Sequence, residues 1–397
     1  MFQNVEYYPG DPILGLIEKY NEDPNPKKVN LGVGVYYDNE GHLPILDCVK
    51  KVEKELAEKN LPHNYLPIDG LTGYRQACQN LLFGPNHEAV QSGRIATTAS
   101  LGGSGALRIG AEFIHHWFPD AKVFVSNPTW ANHIGIFESA GCEVNKYPYY
   151  DSNTNGIKIA ELKNFLSNLE AGNIVLLHPC CHNPTGIDPT VQQWDDILAI
   201  IKQQGLIPFM DFAYQGLGEN LDQDAYAIRK AVDLGLSFFV SNSFSKNMSL
   251  YGERVGALSV ICPTTEEAKL VQSQLKLIIR RFYSSPPGHG NYIVDKTLND
   301  PILFKQWEKE VYEIRDRIRA MRIHLHDVLQ EKLPDRDFTY LSAQRGMFSF
   351  TGLSSEQVAR LQCEYSIYIV ENGRMCVAGL NSRNIDYVAQ AMAEVLK

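Results

Sequence analysis

The middle of the chain alternates short apolar runs with helical patterns, and this alternation restricts the folds that the chain can adopt. The apolar runs lie at 121–128, 173–179, 205–214, 236–243 and 256–262. Several are apolar on both faces, which is typical of parallel strands that helices cover on both sides. Between the second and third runs, a helical pattern has Asp188 as its predicted N-cap, Pro189 in its first turn and Gly205 at its end. The order strand, helix, strand predicts right-handed crossovers and an α/β fold with a mostly parallel sheet.

The pattern changes near residue 300. A long amphipathic helix is predicted over 307–333, and a terminal helix over 384–396. Between them lie four short predicted strands, at 338–341, 346–350, 365–370 and 374–379. A chain of 397 residues also exceeds what a single core usually serves. We therefore predict a large domain over 45–310, and a smaller α+β domain over 311–397 together with an N-terminal arm, 1–44.

Composition and charge exclude several classes of partner. The net charge of −9 and the pI near 5.7 argue against nucleic acid. The N-terminus lacks the basic and apolar regions of a secretory signal, and no apolar stretch approaches the roughly 18 residues of a membrane span. None of the eight cysteines forms a Cys-x-x-Cys pair. The sequence thus predicts a cytoplasmic protein with reduced thiols and neither a nucleic-acid nor a membrane partner.

Polar side chains follow three of the predicted strands. Asn183 lies in HPCCHNPTG after one strand, Asp211 and Tyr214 lie at the end of the next, and Lys246 follows a third in SNSFSKN. About one strand-helix-strand unit separates each group from the next. Because open α/β sheets bind ligands at the carboxyl ends of their strands, we expect these four side chains to meet there.

An amide, a carboxylate, a phenol and a lysine in one cleft match the needs of pyridoxal phosphate. Its aldehyde bonds to a lysine, its ring nitrogen needs a carboxylate, and its 3-oxygen accepts hydrogen bonds. The glycine-rich turn at 102–105 opens a predicted helix and suits a phosphate, and Arg254 supplies a cation. Each feature alone is more often structural, so the ordered combination carries the prediction.

The HPCCH segment at 178–182 raises the question of a metal site. Two adjacent cysteines cannot easily both reach one tetrahedral ion, so we predict no bound metal.

Four motifs together resemble the class I aminotransferases of the aspartate and aromatic-amino-acid type. They are SNSFSKNMSLYGERVG (241–256), HPCCHNPTG (178–186), DFAYQG (211–216) and GGSGALR (102–108). The resemblance runs from VNLGVGVYYD near residue 29 to GRMCVAGLN near 373, with the motifs in the family's order and spacing. It implies the pyridoxal-phosphate fold type I, in which helices flank a mostly parallel seven-stranded sheet and a smaller α+β domain follows. It also implies a homodimer with shared active sites.

The resemblance further implies roles around the cofactor ring. Lys246 would form the Schiff base, and Asp211 would pair with the pyridine nitrogen. Asn183 and Tyr214 would hold the 3-oxygen. Trp130 would stack on the ring and, with Asn183, line the substrate side.

Further roles concern the phosphate and the support of the ring. His133 would support Asp211 from behind. The resemblance implies a phosphate held by Gly103, Ser104, Ser243 and Arg254, with Tyr65 reaching in from the other subunit.

For the substrate, the resemblance implies two arginines and a closing segment. Arg374 would bind the α-carboxylate, while Arg280 would reach across the dimer to a distal carboxylate. Gly34 belongs to the segment that closes over the substrate. The implied reaction is a ping-pong transamination between amino acids and 2-oxo acids through Lys246, with 2-oxoglutarate as the acceptor.

Secondary positions separate two branches of this family. Four resemble the aromatic branch: Tyr37, Leu43, Ser104 and Ser285. Val35 and Asn64 instead resemble the aspartate branch. We predict transamination of aromatic amino acids (tyrosine, phenylalanine) and of dicarboxylic amino acids. The alternative is an aspartate aminotransferase with narrow dicarboxylate specificity.

Two other classes fit less well. A nicotinamide dehydrogenase would need a third glycine in the turn that Gly103 and Gly105 begin, but Arg108 stands there. A non-enzymatic regulator on the same fold would be expected to lack the lysine or the arginines, and all are present.

Overall fold

The computed structural model describes residues 1–7 and 12–397 and contains two compact units. One unit is Pro44–Asp316, and the other combines Met1–Leu43 with Arg317–Lys397. The predicted N-terminal arm lies partly outside the described residues, which omit 8–11. The division into domains at 45 and 310 stays a prediction.

Strands occur in both units. In chain order they are β1 Val29–Asn30, β2 Ile95–Leu101, β3 Val123–Asn127, β4 Val144–Pro148, β5 Tyr150–Asp151, β6 Gly156–Ile157, β7 Ile174–Leu177, β8 Ile207–Phe212, β9 Phe238–Ser243, β10 Val255–Ile261, β11 Phe348–Phe350, β12 Ile367–Tyr368 and β13 Arg374–Cys376. Five of them, β3 and β7 to β10, confirm the five apolar runs that the sequence analysis assigned to strands.

Helices account for most of the remaining regular structure. They are α1 Pro12–Glu22, α2 Asp47–Lys59, α3 Thr72–Phe83, α4 Glu88–Gln91, α5 Gly102–Trp117, α6 Ala131–Ser139, α7 Ile159–Ser167, α8 Val191–Gln204, α9 Leu221–Asp224, α10 Tyr226–Asp233, α11 Thr265–Phe282, α12 Gly288–Asn299, α13 Pro301–Lys332, α14 Thr339–Ala343, α15 Ser355–Tyr365 and α16 Ile385–Leu396. Within the described ranges, no helix is both long enough and apolar enough to cross a membrane.

A seven-stranded sheet forms the centre of the unit Pro44–Asp316. Its strand order is β2-β10-β9-β8-β7-β3-β4. The strands from β9 to β4 pair in parallel, whereas β10 is antiparallel to both of its neighbours. This arrangement confirms the predicted α/β class with a mostly parallel seven-stranded sheet.

Close packing of α5 on the sheet depends on one glycine. The rings of Phe209 on β8 and Phe239 on β9 stack with their centres 5.3 Å apart. Gly110 on α5 faces this stack, and a Cβ atom there would lie 2.5 Å from the Phe209 ring. A larger residue would push α5 off the sheet, and α5 carries the predicted phosphate turn at its N-terminus.

The start of α8 differs from its prediction. Thr190, not Asp188, is the N-cap: its side chain accepts from the backbone N–H of Gln193, whose side chain in turn accepts from the Thr190 N–H. The Asp188 carboxylate instead accepts from the N–H groups of Cys181 and His182, at 2.7 and 2.8 Å. The predicted helix end is confirmed, because Gly205 has the left-handed φ of 64°.

The segment 338–341 was predicted to be a strand, and this prediction is wrong. Residues from Thr339 onward form the short helix α14. The Asp337 carboxylate accepts from the N–H and the hydroxyl of Thr339, at 2.9 and 2.7 Å, and this contact favours a helical turn. The other predicted strands of this region are confirmed as β11, β12 and β13.

Candidate active site

The carboxyl ends of four strands carry the predicted site residues. Strands β7, β8 and β9 are parallel, so the segments that follow them begin at the same edge of the sheet. β2 runs in the same direction as β9, because both are antiparallel to β10. The turn at Gly103 and Ser104 therefore begins at this edge too, and Arg254 lies immediately before β10 starts there.

Lys246 lies three residues beyond the end of β9, in a segment of small buried residues. Its Nζ atom is 5.4 Å from the centre of the Tyr214 ring. Burial lowers the pKa of the Lys246 amine, the Asp211 carboxylate opposes this effect, and the Arg254 charge adds to it. The net direction favours the neutral amine, which is the nucleophilic and basic form.

Asp211 is held by two hydrogen bonds at the end of β8. Its Oδ2 lies 2.9 Å from His133 Nε2, and its Oδ1 accepts from the Ser241 hydroxyl at 2.7 Å. Burial acts to raise the pKa of Asp211, but the hydrogen bond and charge of His133, together with His178 and Ser241, outweigh it and lower the pKa. Asp211 therefore remains a carboxylate, as a partner of a protonated ring nitrogen must be.

Ser241 is a contact that the sequence analysis missed. It is the register partner of Asp211 on the neighbouring strand β9. It stands two residues before Ser243, on the same face of the strand. That spacing is the signal in the sequence, but the pairing with Asp211 requires the register of β8 against β9.

A buried set of imidazoles lies behind Asp211. His133 Nδ1 is 2.8 Å from the Thr129 hydroxyl, and its ring centre is 5.1 Å from that of His178, which stacks on His182 at 4.4 Å. The backbone N–H of Asn183 donates to His178 Nδ1 at 3.1 Å, which places the ring proton of a neutral His178 on Nε2. Burial lowers the pKa of His178 to about 3 and that of His182 well below its usual value. Both imidazoles are therefore neutral near pH 7, and His133 is the imidazole that contacts the Asp211 carboxylate.

Asn183 and Tyr214 meet at the same edge. The Asn183 amide Nδ2 lies 3.5 Å from the Tyr214 hydroxyl, and both side chains are buried. Together with Lys246 they confirm that the segments after β7, β8 and β9 meet, as the spacing of the motifs predicts. Trp130 lies at the start of α6, with its ring centre 5.2 Å from that of His133.

The turn that opens α5 has the features of a phosphate cradle. Leu101 is the N-cap residue and provides no side-chain hydrogen bond, so no side chain of the cap occupies the first-turn N–H groups. Gly102 has a φ of +66°, and a Cβ atom there would lie 2.7 Å from Arg254 Nη2. A Cβ on Gly103 would lie 3.4 Å from that of Ser243. The N–H groups of a helix N-terminus, the Ser243 hydroxyl and the Arg254 guanidinium lie together here, and they form the donor set that a phosphate requires.

Two predicted site residues of this unit lie apart from the cluster. Tyr65 is 92% exposed. Arg280 is exposed near the end of α11, where it donates to the Ser284 hydroxyl. No contact recorded between described residues joins either side chain to Lys246.

Arg374 and Gly34 belong to the other unit, where they share one neighbour. Arg374 is buried on β13 and donates from Nη2 to the Gly32 carbonyl at 2.6 Å. Its guanidinium lies 4.5 Å from the centre of the Phe348 ring. A Cβ atom on Gly34 would lie 2.7 Å from that same ring. Phe348 thus positions both residues, and the sequence analysis did not identify it.

Comparisons with known proteins agree with this geometry. The profile of the family "Aminotransferase class I and II" matches residues 26–392. The aromatic-amino-acid aminotransferase of Escherichia coli (strain K12) is 52% identical over 399 residues, with all of both chains covered.

Two solved structures are similar over their full lengths. One is a psychrophilic aromatic amino acids aminotransferase from Psychrobacter sp. B6, cocrystallised with aspartic acid, at a TM-score of 0.99 and 60% identity, with all of both chains covered. The other is an aromatic-amino-acid aminotransferase from Burkholderia pseudomallei, covalently bound to pyridoxal phosphate, at a TM-score of 0.98 and 51% identity, again with all of both chains covered. The family profile and these identities establish that the chain belongs to the class I and II aminotransferases.

Proposed function

We propose that this protein is a pyridoxal-phosphate-dependent aminotransferase that acts on aromatic and dicarboxylic amino acids, with 2-oxoglutarate as the acceptor. The observation that carries the proposal is the Lys246 amine, whose pKa is lowered, at the sheet edge that also holds the Asp211–His133 pair. When bound, pyridoxal phosphate supplies an aldehyde for an amine and a ring that withdraws electrons from the substrate Cα.

Different residues of the sheet edge would hold different parts of this cofactor. Asp211 would pair with the ring nitrogen, since its carboxylate stays ionised. Asn183 and Tyr214 would hold the 3-oxygen, and Trp130 would cover the ring. The phosphate would be bound by Gly103, Ser104, Ser243 and Arg254, which the glycine cradle of α5 supports.

Lys246 is proposed to move the substrate proton. A neutral amine accepts a proton from Cα and, as an ammonium group, returns it elsewhere, so one residue acts as base and then as acid. Burial and the Arg254 charge support this role because they favour the neutral form. The face of the Tyr214 ring, whose centre is 5.4 Å from Nζ, and the Asp211 carboxylate would both attract the ammonium form of Lys246.

Substrate orientation is assigned to Arg374. Its guanidinium would bind the α-carboxylate in a bidentate pair, which fixes the Cα–H bond for proton removal. The contacts of Arg374 with Gly32 and Phe348 support this assignment, because they hold the guanidinium in one orientation. Gly34 would take part in closing over the substrate, packed against Phe348.

We infer that the active enzyme is a cytoplasmic homodimer with shared active sites. Tyr65 and Arg280 are exposed in the single chain, which supports their action on a second copy. Tyr65 would reach the phosphate of that copy, and Arg280 would bind the distal carboxylate of its substrate.

Dual specificity is supported by the residue types at the branch positions and by the similar proteins. The chain has Tyr37, Leu43, Ser104 and Ser285 at positions that differ between the branches. With fewer fixed hydrogen-bond partners, Arg280 could turn away when the substrate carries an aromatic ring. It could turn back when the substrate carries a second carboxylate. The similar Psychrobacter enzyme is named for aromatic amino acids and was cocrystallised with aspartic acid.

Replacing Arg280 tests the dual role. We expect Arg280→Ala to lower kcat/KM for aspartate by about 10- to 150-fold, because a charged hydrogen-bonded pair contributes about 1.5–3 kcal/mol. The loss for phenylalanine should be far smaller. Steady-state kinetics with both amino acids and 2-oxoglutarate measure the difference. Arg281→Ala, at the adjacent exposed arginine, is the matched control, and equal losses for both substrates would contradict the assignment.

A side-by-side assay separates the proposed specificity from the narrow alternative. The wild-type enzyme is expected to transaminate phenylalanine and tyrosine as well as aspartate. Turnover of aspartate without turnover of phenylalanine would instead establish a narrow aspartate aminotransferase. Borohydride reduction followed by peptide mapping tests the class itself, since the cofactor should be found attached at Lys246 and at no other lysine.

A further inference from the structure

A cavity lies entirely within the unit formed by Met1–Leu43 and Arg317–Lys397. Its volume is about 570 Å³, which falls in the range of roughly 300–1,000 Å³ that small-molecule sites occupy. Tyr37, one of the branch positions named above, lines it, but no residue proposed to hold the cofactor and neither substrate-binding arginine does. The side chains that matter here are those of Tyr20, Lys27, Lys28, Tyr37, Arg383 and Tyr387.

The cavity is positively charged, although the chain as a whole carries a net charge of −9. Two lysines and an arginine line it, and no aspartate or glutamate does. Lys28 is already bound, since its Nζ donates to the carbonyls of Tyr20 and Asp23, both at 2.8 Å. Lys27 and Arg383 have no ion pair and no side-chain hydrogen bond with any described residue. Two free cations at one cavity on an acidic protein attract an anion.

The carboxylates nearest in sequence make their recorded hydrogen bonds and ion pairs with groups other than Lys27 and Arg383. Asp23 accepts from the Tyr368 hydroxyl at 2.8 Å, and Asp38 accepts from the His42 N–H at 2.8 Å. Asp386 Oδ1 lies 2.8 Å from His324 Nε2. The hydrogen bond from the Asn25 N–H is the largest effect that lowers the pKa of Asp23, and the charge of Lys28 lowers it further. This carboxylate therefore partly balances Lys28, whereas Lys27 and Arg383 are left for a ligand.

Aromatic faces and a fixed polar wall complete the cavity. Burial is the largest effect that raises the pKa of the half-buried Tyr37 hydroxyl, and Cys376 and Tyr20 raise it further. The hydroxyl therefore stays protonated and can donate a hydrogen bond. The wall is fixed by Asn381 and Asn384: the Asn381 N–H donates to Asn384 Oδ1 at 2.8 Å, and Asn384 Nδ2 donates to the Gly379 carbonyl at 3.1 Å. Tyrosine rings offer stacking surface to an aromatic group.

We propose that this cavity is a second ligand site, distinct from the active site, which binds a small carboxylate that carries an aromatic ring. Lys27 and Arg383 bind the carboxylate, the Tyr37 hydroxyl donates to it, and the tyrosine faces cover the ring. The proposal shares Tyr37 with the branch positions, but it does not depend on the substrate preference proposed above, because it rests on Lys27 and Arg383, which have no role there.

Calorimetric titration of the holoenzyme with 4-fluorophenylacetate tests the site. This probe carries a ring and a carboxylate but has no amino or oxo group to react. We expect two binding events in the wild-type enzyme, one at the active site and one at this cavity. Lys27→Ala and Arg383→Ala should each weaken the second event by about tenfold or more, as expected for the loss of a charged hydrogen bond. The double variant should lose it and keep wild-type turnover.

The matched controls are Lys19→Ala and Arg336→Ala, two exposed residues of the same unit that do not line the cavity. Both should keep the two binding events. A single event in the wild type, or a second event that survives the double variant, overturns the proposal. Equal affinity for acetate or inorganic phosphate rules out recognition of the ring. A fall of turnover in the double variant would mean that the cavity is not separate from the active site.

Discussion

Lys246→Ala is expected to lower transamination by about 10⁴-fold or more, because the variant loses both the covalent attachment and the proton-transferring amine. Binding of the cofactor should survive, since Asp211, Asn183, Tyr214 and the phosphate cradle do not depend on the lysine. Turnover with aspartate and 2-oxoglutarate measures the first effect. Absorbance of the dialysed protein and borohydride trapping measure the second, and trapping should fail while noncovalent cofactor remains.

The control for this variant is Lys305→Ala, an exposed lysine of the same unit. It should keep wild-type turnover and the trapped product. Near-native turnover of Lys246→Ala would remove the residue from its assigned role. Loss of cofactor together with activity would show that the lysine serves binding instead of proton transfer.

Asp211→Asn should have the second largest effect, a loss of turnover of about 10²–10³-fold or more, as expected when a preorganised charge at a reaction centre is removed. Asparagine has nearly the same shape and can still contact His133 and Ser241, so the fold should be retained. What is lost is the negative charge that would hold a proton on the ring nitrogen. The pKa of Lys246 should also fall further, because Asp211 now acts to raise it.

Two measurements separate these electrostatic effects from simple misfolding. The thermal unfolding midpoint of Asp211→Asn should stay close to that of the wild type. The midpoint of Asp211→Ala should fall further, because that variant leaves His133 without its partner. Asp211→Glu, which keeps the charge, should recover part of the turnover. An Asp211→Asn enzyme as active as the wild type would contradict the assigned pairing with the ring nitrogen.

Much of the fold followed from the apolar runs. The strands β7 to β10 are buried at nearly every position, and such runs are visible in a sequence. Strand β2, IATTASL, was not predicted, because its buried threonines and serine hide the apolar pattern. The Thr97 hydroxyl finds its partner across the sheet, 2.9 Å from Ser259, whereas the hydroxyls of Thr98 and Ser100 donate to the nearby carbonyls of Ala99 and Gly102. A polar residue can occupy a buried strand when a distant partner completes its hydrogen bond.

The candidate site likewise contains residues that the sequence motifs revealed and residues that only the tertiary structure revealed. Lys246, Asp211, Asn183 and Arg254 were predicted because they occur in ordered motifs after strands. Ser241 and Phe348 were not, because their importance comes from register and packing. The N-cap of α8 was misplaced by two residues for a similar reason: Asp188 is bound by the loop that contains Cys181, a contact that local pattern cannot reveal.

The sequence by itself determined the class of fold, the family and the residue types that carry the chemistry, because strand periodicity and motif order are properties of the chain. Only the tertiary structure decided the ionisation of those residues. Asp211 is kept ionised by His133, which lies 78 positions away in the chain, and the pKa of the Lys246 amine is lowered by burial and by Arg254. A pKa depends on burial and on neighbouring charges, and both exist only once distant segments have packed together.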